Sequence, residues 1–207
     1  MAFHLIDIQN WSRREFYEHF IHEVACSYST TVHLDITCLK EYKLYPSMLW
    51  LLTKTVNELP QFRTALTEDG LGFYDDMHPS YTIFNKENKN FSGIWITFDP
   101  DYHAFLSSYQ ADTVKYASST QFSPKPNRPP NSFDVSMVPW FSFSSFHINV
   151  HNQVNYLLPI FTLGKYFDDN EKRILPLAIQ VHHAVCDGYH VGKFIELLQD
   201  QIHQFPQ

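Results

Sequence analysis

Apolar and polar positions along this chain follow two periods, one typical of strands and one typical of helices. Residues from Thr30 to Thr37 alternate and predict a half-buried strand. Ser12 to Glu15 has the spacing of a capping box, which predicts a helix that continues to about Val24. Pro46 is followed by apolar residues at helical spacing, so a helix is expected to begin there. Another helix is expected to begin at Asp99-Pro100 and to run through about Tyr116.

The remainder of the chain predicts short strands separated by irregular connections. These strands cover residues 72–74, 81–84, 93–98, 133–137, 146–150, 159–167 and 174–184. The proline-rich stretch 123–131 is interpreted as an internal loop, because neither half of the chain offers a complete set of strands. The pattern predicts an α+β sandwich in which helices cover a mixed β-sheet, with residues 1–207 as a single domain.

The most informative stretch lies near the carboxyl terminus. An apolar run, 174–181, predicts a strand, and the apolar positions from Val191 onward have helical spacing. Between them, Asp187 is a candidate N-cap, and Gly188 is expected to relieve the bend. His183 would stand at the end of the strand, where an imidazole with a pKa near 6.5 suits a general base at neutral pH.

Composition limits the classes of partner and location. The formal net charge is -7 and no block of lysine and arginine occurs, so a nucleic-acid partner is not expected. No apolar stretch approaches the roughly 18 residues of a membrane span, and the first residues lack the layout of a secretory signal. Cys26, Cys38 and Cys186 are an odd number and indicate free thiols in a reducing cytoplasm.

A family resemblance is carried by the same carboxyl-terminal stretch. Residues 183–188, His-Ala-Val-Cys-Asp-Gly, match the His-x-x-x-Asp-Gly signature of CoA-dependent acyltransferases. The longer stretch 180–192 resembles the chloramphenicol acetyltransferases. Segments in that family's order are also found at 11–15, 34–37, 139–140, 146–150 and 159–166. The resemblance therefore extends over nearly the whole chain.

The resemblance implies an activity and an assembly. Members of that family transfer an acetyl group from acetyl-CoA to the primary hydroxyl of chloramphenicol in a ternary complex, which confers antibiotic resistance. They have the CoA-dependent acyltransferase fold, an α+β two-layer sandwich of helices on a mixed β-sheet, and form homotrimers with active sites between subunits. No metal and no acyl-enzyme is implied. We therefore expect acetyl-CoA and chloramphenicol as the ligands and a second and third copy of the chain as partners.

The resemblance also implies roles for four residues. His183 matches the general base that removes the hydroxyl proton as the oxygen attacks the thioester. Ser136 matches the donor that stabilises the tetrahedral oxyanion. Asp187 and Arg13 match a structural ion pair that supports the site, and this pair would also offset the unfavourable arginines at the start of the first helix. From the residues alone, Asp187 could instead orient His183, as in a triad.

Substrate contacts are assigned in the same way. Thr162 matches a threonine that contacts the bound intermediate through water. The apolar pocket positions match Tyr28, Phe146, Ile148 and Ile160, and the CoA side matches Trp140, Lys165 and Tyr166. Two positions depart from the family pattern. Phe20 stands where some members have a drug-contacting tyrosine, and Asp134 stands where an asparagine is common.

Other interpretations of these residues are weaker. Cys186 could be a thiolate nucleophile beside His183, but a buried cysteine is more often a small apolar filler. A metal site built from the histidines and aspartate of 182–190 is disfavoured, because adjacent residues on a strand face opposite ways. Two alternative functions remain. They are an acyltransferase with another hydroxyl acceptor and a non-catalytic drug-binding protein of the same fold, and the second would need neither base nor oxyanion donor.

Overall fold

The computed structural model describes residues 2–148 and 156–205. Within these ranges the strands are β1 (Phe3–Leu5), β2 (Ser27–Asp35), β3 (Thr64–Thr67), β4 (Gly70–Tyr74), β5 (His78–Phe84), β6 (Phe91–Trp95), β7 (Ser132–Met137), β8 (Ile160–Leu163), β9 (Phe167–Asp169) and β10 (Lys172–His182). The α-helices are α1 (Arg14–Glu18), α2 (Leu44–Glu58), α3 (Tyr102–Tyr116) and α4 (Gly188–His203). A π-helical turn, His19–Glu23, continues α1.

The strands form two sheets. The smaller has the order β1-β4-β3 and is antiparallel. The larger has the order β2-β10-β8-β7-β5-β6, with β9 paired to β10. In the larger sheet β7 runs parallel to both β5 and β8, and the other pairs are antiparallel. The sheet is therefore mixed, and the expected α+β class is confirmed.

Alternation along the strands gives the larger sheet one face packed against helices. The ring of Phe161 on β8 stacks on that of Phe194 on α4, with ring centroids 5.2 Å apart. Leu177 and Ile179 on β10 point to the same side and are fully buried. Ser136 on β7 occupies the opposite register, together with its cross-strand neighbour on β8. Polar side chains of the central strands thus project from the face away from α4.

Most predicted elements are present, with boundaries that differ by a few residues. The prediction of a capping box at Ser12 is wrong, because the N-cap of α1 is Arg13. The side chain of Arg13 makes no cap hydrogen bond and binds Asp187 instead. The stretch predicted as a strand at 146–150 has no strand in Phe146–Ile148, and its last two positions lie outside the described residues. The stretch 159–167 is divided between β8 and β9. In the part of the chain that the structure describes, no helix is long and apolar enough to span a bilayer.

Candidate active site

His183 lies directly after β10 and is held there by backbone and aromatic contacts. Its amide donates to the carbonyl of Cys26 at 2.9 Å, which extends the β2–β10 pairing by one residue. The imidazole stacks on Phe20, with ring centroids 4.1 Å apart and planes 6° apart. Tyr28 meets it edge-on at 5.3 Å. Nδ1 is buried and has no hydrogen-bond partner among residues 2–148 and 156–205, which leaves Nε2 as the nitrogen for a substrate.

Phe20 and Tyr28 were assigned from the sequence as substrate contacts, and the structure places both against the base itself. One stacked ring and one edge-on ring together restrict rotation of the imidazole. Sequence reasoning did not find this packing role. The sequence did contain a signal for it. Phe20 and Tyr28 lie just before and at the start of β2, and β2 pairs with β10, the strand that ends next to His183.

Arg13 reaches the backbone that carries His183. Nη1 donates to Oδ2 of Asp187 at 2.7 Å, Nη2 donates to the carbonyl of His183 at 2.9 Å, and Nε donates to the carbonyl of Ala184 at 3.1 Å. The expected contact between Arg13 and Asp187 is therefore present, across 174 positions of sequence. Arg14 instead pairs with Glu18 one turn along the helix.

The side chain of Asp187 binds groups other than the imidazole of His183, which a triad would require it to orient. Its described side-chain partners are Arg13, His190 and the backbone amide of Tyr189, and the last contact makes it the N-cap of α4. Burial acts to raise the pKa of Asp187, but the hydrogen bond from Arg13 and the charges of His190 and Arg13 together hold that pKa below its usual value. The bend does not require Gly188, since a Cβ there would meet nothing within 4 Å.

Ser136 and Thr162 form a second group on the open face of the sheet. They are cross-strand neighbours on the parallel strands β7 and β8, and their hydroxyl oxygens lie 3.0 Å apart. Thr162 is buried, whereas Ser136 is partly exposed. If Thr162 donates to Ser136, the proton of the serine hydroxyl is free to point away from the sheet. This is the arrangement that an oxyanion donor needs.

Two adjoining recesses collect the remaining pocket positions. Phe146, Ile148, Ile160 and Thr162 line a narrow crevice with Ser29 and Gln180. Ile148 and Ile160, with Ser136, also line a cavity of about 180 Å³ that is walled by the rings of Phe91, Trp95 and Phe122. Sequence reasoning missed these three rings. They are recognisable only once β6 and the loop after α3 are seen on the side of β7 that carries β5.

Asp134, the departure from the family pattern, lies in the wall of the same cavity. Its Oδ1 is 3.0 Å from Nη2 of Arg128, and its Oδ2 accepts a hydrogen bond from the hydroxyl of Tyr156 at 3.0 Å. Arg128 belongs to the proline-rich loop. The carboxylate thus joins that loop to the sheet, and an asparagine at this position would lack the charge that holds Arg128.

The positions matched to the CoA side lie at the surface. Trp140 is 59% exposed and contacts Phe84, with ring centroids 5.0 Å apart. Tyr166 is exposed and packs against the guanidinium of Arg173 at 4.5 Å. Lys165 is also exposed, and its amide donates to the carbonyl of Phe141 at 2.9 Å. These residues are accessible to a ligand but do not form one enclosed recess.

The two groups of predicted residues do not converge within one chain. Thr162 pairs with Ala178, which is five positions before His183 along β10. At about 3.3 Å per residue, this separates His183 from the level of Thr162 and Ser136 by roughly 16 Å. A base and an oxyanion donor must each come within about 3 Å of the same reacting group. Within one chain, the predicted base and the predicted oxyanion donor therefore lie too far apart to act on the same reacting group.

Two weaker interpretations can be assessed on the same geometry. The thiol of Cys186 is buried, and this burial raises its pKa to about 12, which opposes a thiolate nucleophile. Among residues 2–148 and 156–205, no cluster of three or more histidine, cysteine, aspartate or glutamate side chains is placed to hold a metal ion. His182 is buried, and its Nδ1 accepts from the amide of Ala184 at 3.2 Å.

Comparison with solved structures identifies the fold. A chloramphenicol acetyltransferase has a TM-score of 0.83 at 21% identity and covers 97% of this chain and 100% of its own. A dihydrolipoamide acetyltransferase from Azotobacter vinelandii has a TM-score of 0.68 at 17% identity and covers 85% of this chain and 81% of its own. At these identities the comparison shows the fold, which is one that acetyltransferases share.

Sequence comparison is more specific. The family model described as chloramphenicol acetyltransferase matches residues 1–199. A chloramphenicol acetyltransferase of Clostridium perfringens is 48% identical, over 98% of this chain and 99% of its own length. That of Campylobacter coli is also 48% identical, over 99% of this chain and 100% of its own. The chain belongs to the chloramphenicol acetyltransferase family.

Proposed function

We propose that this protein is an acetyl-CoA-dependent acetyltransferase that acylates the primary hydroxyl of chloramphenicol and so confers resistance to the drug. Family membership over nearly the full length of the chain supports this activity. The single structural observation that carries it is the imidazole of His183, which packs against Phe20 and Tyr28 and has its Nδ1 buried, so that Nε2 is left for the substrate. We further propose that the protein acts in the cytoplasm, where acetyl-CoA is available.

The reaction follows from the chemistry of these side chains. Nε2 of His183 accepts the proton of the drug's hydroxyl while that oxygen attacks the thioester carbonyl of acetyl-CoA. The hydroxyl of Ser136 donates to the oxyanion that forms, with Thr162 holding the serine oxygen. Collapse of the intermediate breaks the carbon–sulfur bond. The proton on His183 then passes to the departing thiolate, which leaves as CoA.

A site shared between subunits would bring the base and the oxyanion donor together, because each could come from a different copy of the chain. In this proposal His183 of one copy faces Ser136 of the next copy in a closed ring of three, so that each interface carries one complete site. The apolar side chains left uncovered near the cavity and the CoA side support a contact with another copy. They include Phe91, Phe122, Trp140 and Phe141, each at least half exposed.

The activity is tested by release of free thiol from acetyl-CoA with and without chloramphenicol. Drug-dependent release by the wild type, absent from a folded His183→Ala variant, is the expected result. His183→Ala removes the base and little packing, so a loss of several orders of magnitude is expected. Comparable turnover in the variant would contradict the role of His183. Assays with a panel of other hydroxyl compounds test whether the protein acetylates a different acceptor instead of chloramphenicol.

The shared site is tested by complementation between two inactive variants. His183→Ala and Ser136→Ala are unfolded together in equal amounts, refolded, and compared with each variant refolded alone. If base and donor come from different chains, roughly one quarter of the sites in the mixture regain both groups, because chains combine at random. No recovery in a mixture that assembles like the wild type would contradict a shared site.

A further inference from the structure

The carboxylate of Asp187 binds one basic side chain on each oxygen. Oδ2 lies 2.7 Å from Nη1 of Arg13, and Oδ1 lies 2.8 Å from Nδ1 of His190. The backbone amide of Tyr189 also donates to Oδ1 at 3.1 Å. With both oxygens held, the carboxylate cannot turn about its Cβ–Cγ bond without losing a partner.

His190 stays attached to Asp187 in either neutral tautomer. Its Nδ1 lies 3.2 Å from the backbone nitrogen of Asp187, in addition to its contact with Oδ1. A ring protonated on Nδ1 donates to Oδ1, whereas a ring protonated on Nε2 accepts from the Asp187 amide. The side chain of His190 is only 19% exposed, which limits competition from solvent. Only the ring protonated on Nδ1 holds the carboxylate itself, because the other tautomer contacts the backbone of Asp187 alone.

Arg13 transmits the orientation of the carboxylate to the base. Its Nη1 is fixed by Asp187, and the planar guanidinium then directs its other donors toward the carbonyls of His183 and Ala184. These carbonyls belong to the base and to the residue after it. A rotation of the carboxylate would turn the guanidinium and release the backbone that carries the imidazole.

Given the proposed function, we infer that His190 is a positioning residue for acyl transfer, which holds Asp187 so that Arg13 keeps the His183–Ala184 backbone and the imidazole in place. No proton passes through His190. A role in capping α4 alone would stabilise the helix without changing turnover. The two roles therefore predict different kinetic results.

The test compares His190→Ala, His190→Gln and Tyr189→Ala. Glutamine at this position can reach back to the N-cap amide and can donate to Oδ1. Tyr189 is the matched control, because its exposed ring contacts His190 and Lys193, whereas its hydrogen bond to Asp187 comes from the backbone amide, which Tyr189→Ala keeps. At temperatures well below each melting temperature, His190→Ala should lower kcat on the order of tenfold or more, because a small misplacement of a reacting group greatly lowers the reaction rate. The KM values should change little, and His190→Gln should restore most of the rate.

Two further measurements complete the test. Combined with Asp187→Asn, His190→Ala should add little further loss, because both act through the same carboxylate. The ring resonance of His183, assigned by its disappearance in His183→Ala, should shift in His190→Ala and not in Tyr189→Ala. An unaltered kcat with only a lower melting temperature would overturn the inference. If the wild type does not acetylate chloramphenicol, the proposed function fails, and an unshifted His183 resonance in His190→Ala would still overturn the role of His190.

Discussion

Substitution of Asp187 by asparagine isolates the charge of the ion pair with Arg13. Asparagine has almost the same shape and is itself a good N-cap, so the hydrogen bond from Tyr189 and the packing should persist. What disappears is the negative charge 2.7 Å from Nη1 of an arginine whose side chain is only 13% exposed. The variant therefore leaves a partly buried cation without its counter-charge.

The magnitude follows from the geometry. Two unit charges about 4 Å apart interact by about 4 kcal/mol at an effective dielectric constant near 20. The side chain of Asp187 is 34% exposed, so solvent screening reduces this figure. We expect a loss of about 2 kcal/mol in the free energy of unfolding. For a chain of this length that corresponds to a fall in melting temperature of about 4–8 °C.

Thermal melting at equal protein concentration is the assay, with kcat measured on the same samples. Asp200→Asn is the matched control, since it removes an exposed carboxylate from the same helix. Asp187→Asn should lower both the melting temperature and kcat, and the control should lower neither. A large loss of kcat with an unchanged melting curve would refute this reasoning and favour direct orientation of His183 by Asp187.

The pH dependence of this effect has a defined sign. The pKa of Asp187 is lower in the folded protein than its ordinary value, so the unfolded chain binds the proton more tightly. The stabilisation by the carboxylate is therefore fully present above the unfolded pKa of about 3.9 and is lost as pH falls through the folded pKa. The difference in melting temperature between wild type and Asp187→Asn should be present above about pH 5 and narrow below about pH 4.

Three further substitutions test other parts of the site. Ser136→Ala should lower kcat on the order of 10²–10³-fold with unchanged folding, and a loss below about threefold would contradict its role as oxyanion donor. Phe20→Leu removes the ring stacked on His183 and should lower kcat about tenfold, whereas an effect confined to the KM for chloramphenicol would indicate a drug contact alone. Cys186→Ala should keep kcat within about threefold while lowering the melting temperature, because the buried thiol fills space. A large loss of kcat in folded Cys186→Ala would instead indicate that the thiol takes part in catalysis.

Local sequence patterns were sufficient for most of the fold. The helical spacing after Pro46 corresponds to α2, whose apolar face is fully buried, although the helix begins two residues earlier, at Leu44. The apolar run before His183 corresponds to β10, the strand between β2 and β8. Asp187 was identified as an N-cap because the change from strand to helix occurs within a few residues of it. These features depend on near neighbours in the chain, which the sequence displays directly.

The sequence by itself thus determined the α+β class, the position of His183 at a strand end and, through the family resemblance, the pairing of Arg13 with Asp187. Tertiary structure decided what no local pattern contains. It placed the rings of Phe20 and Tyr28 against the imidazole of His183. It also brought both Arg13 and His190 to the carboxylate of Asp187. Strand pairing separated His183 from Ser136 along the sheet. The physical reason is that these relations depend on strand order and register between segments far apart in sequence, whereas periodicity reports only the face on which each residue lies.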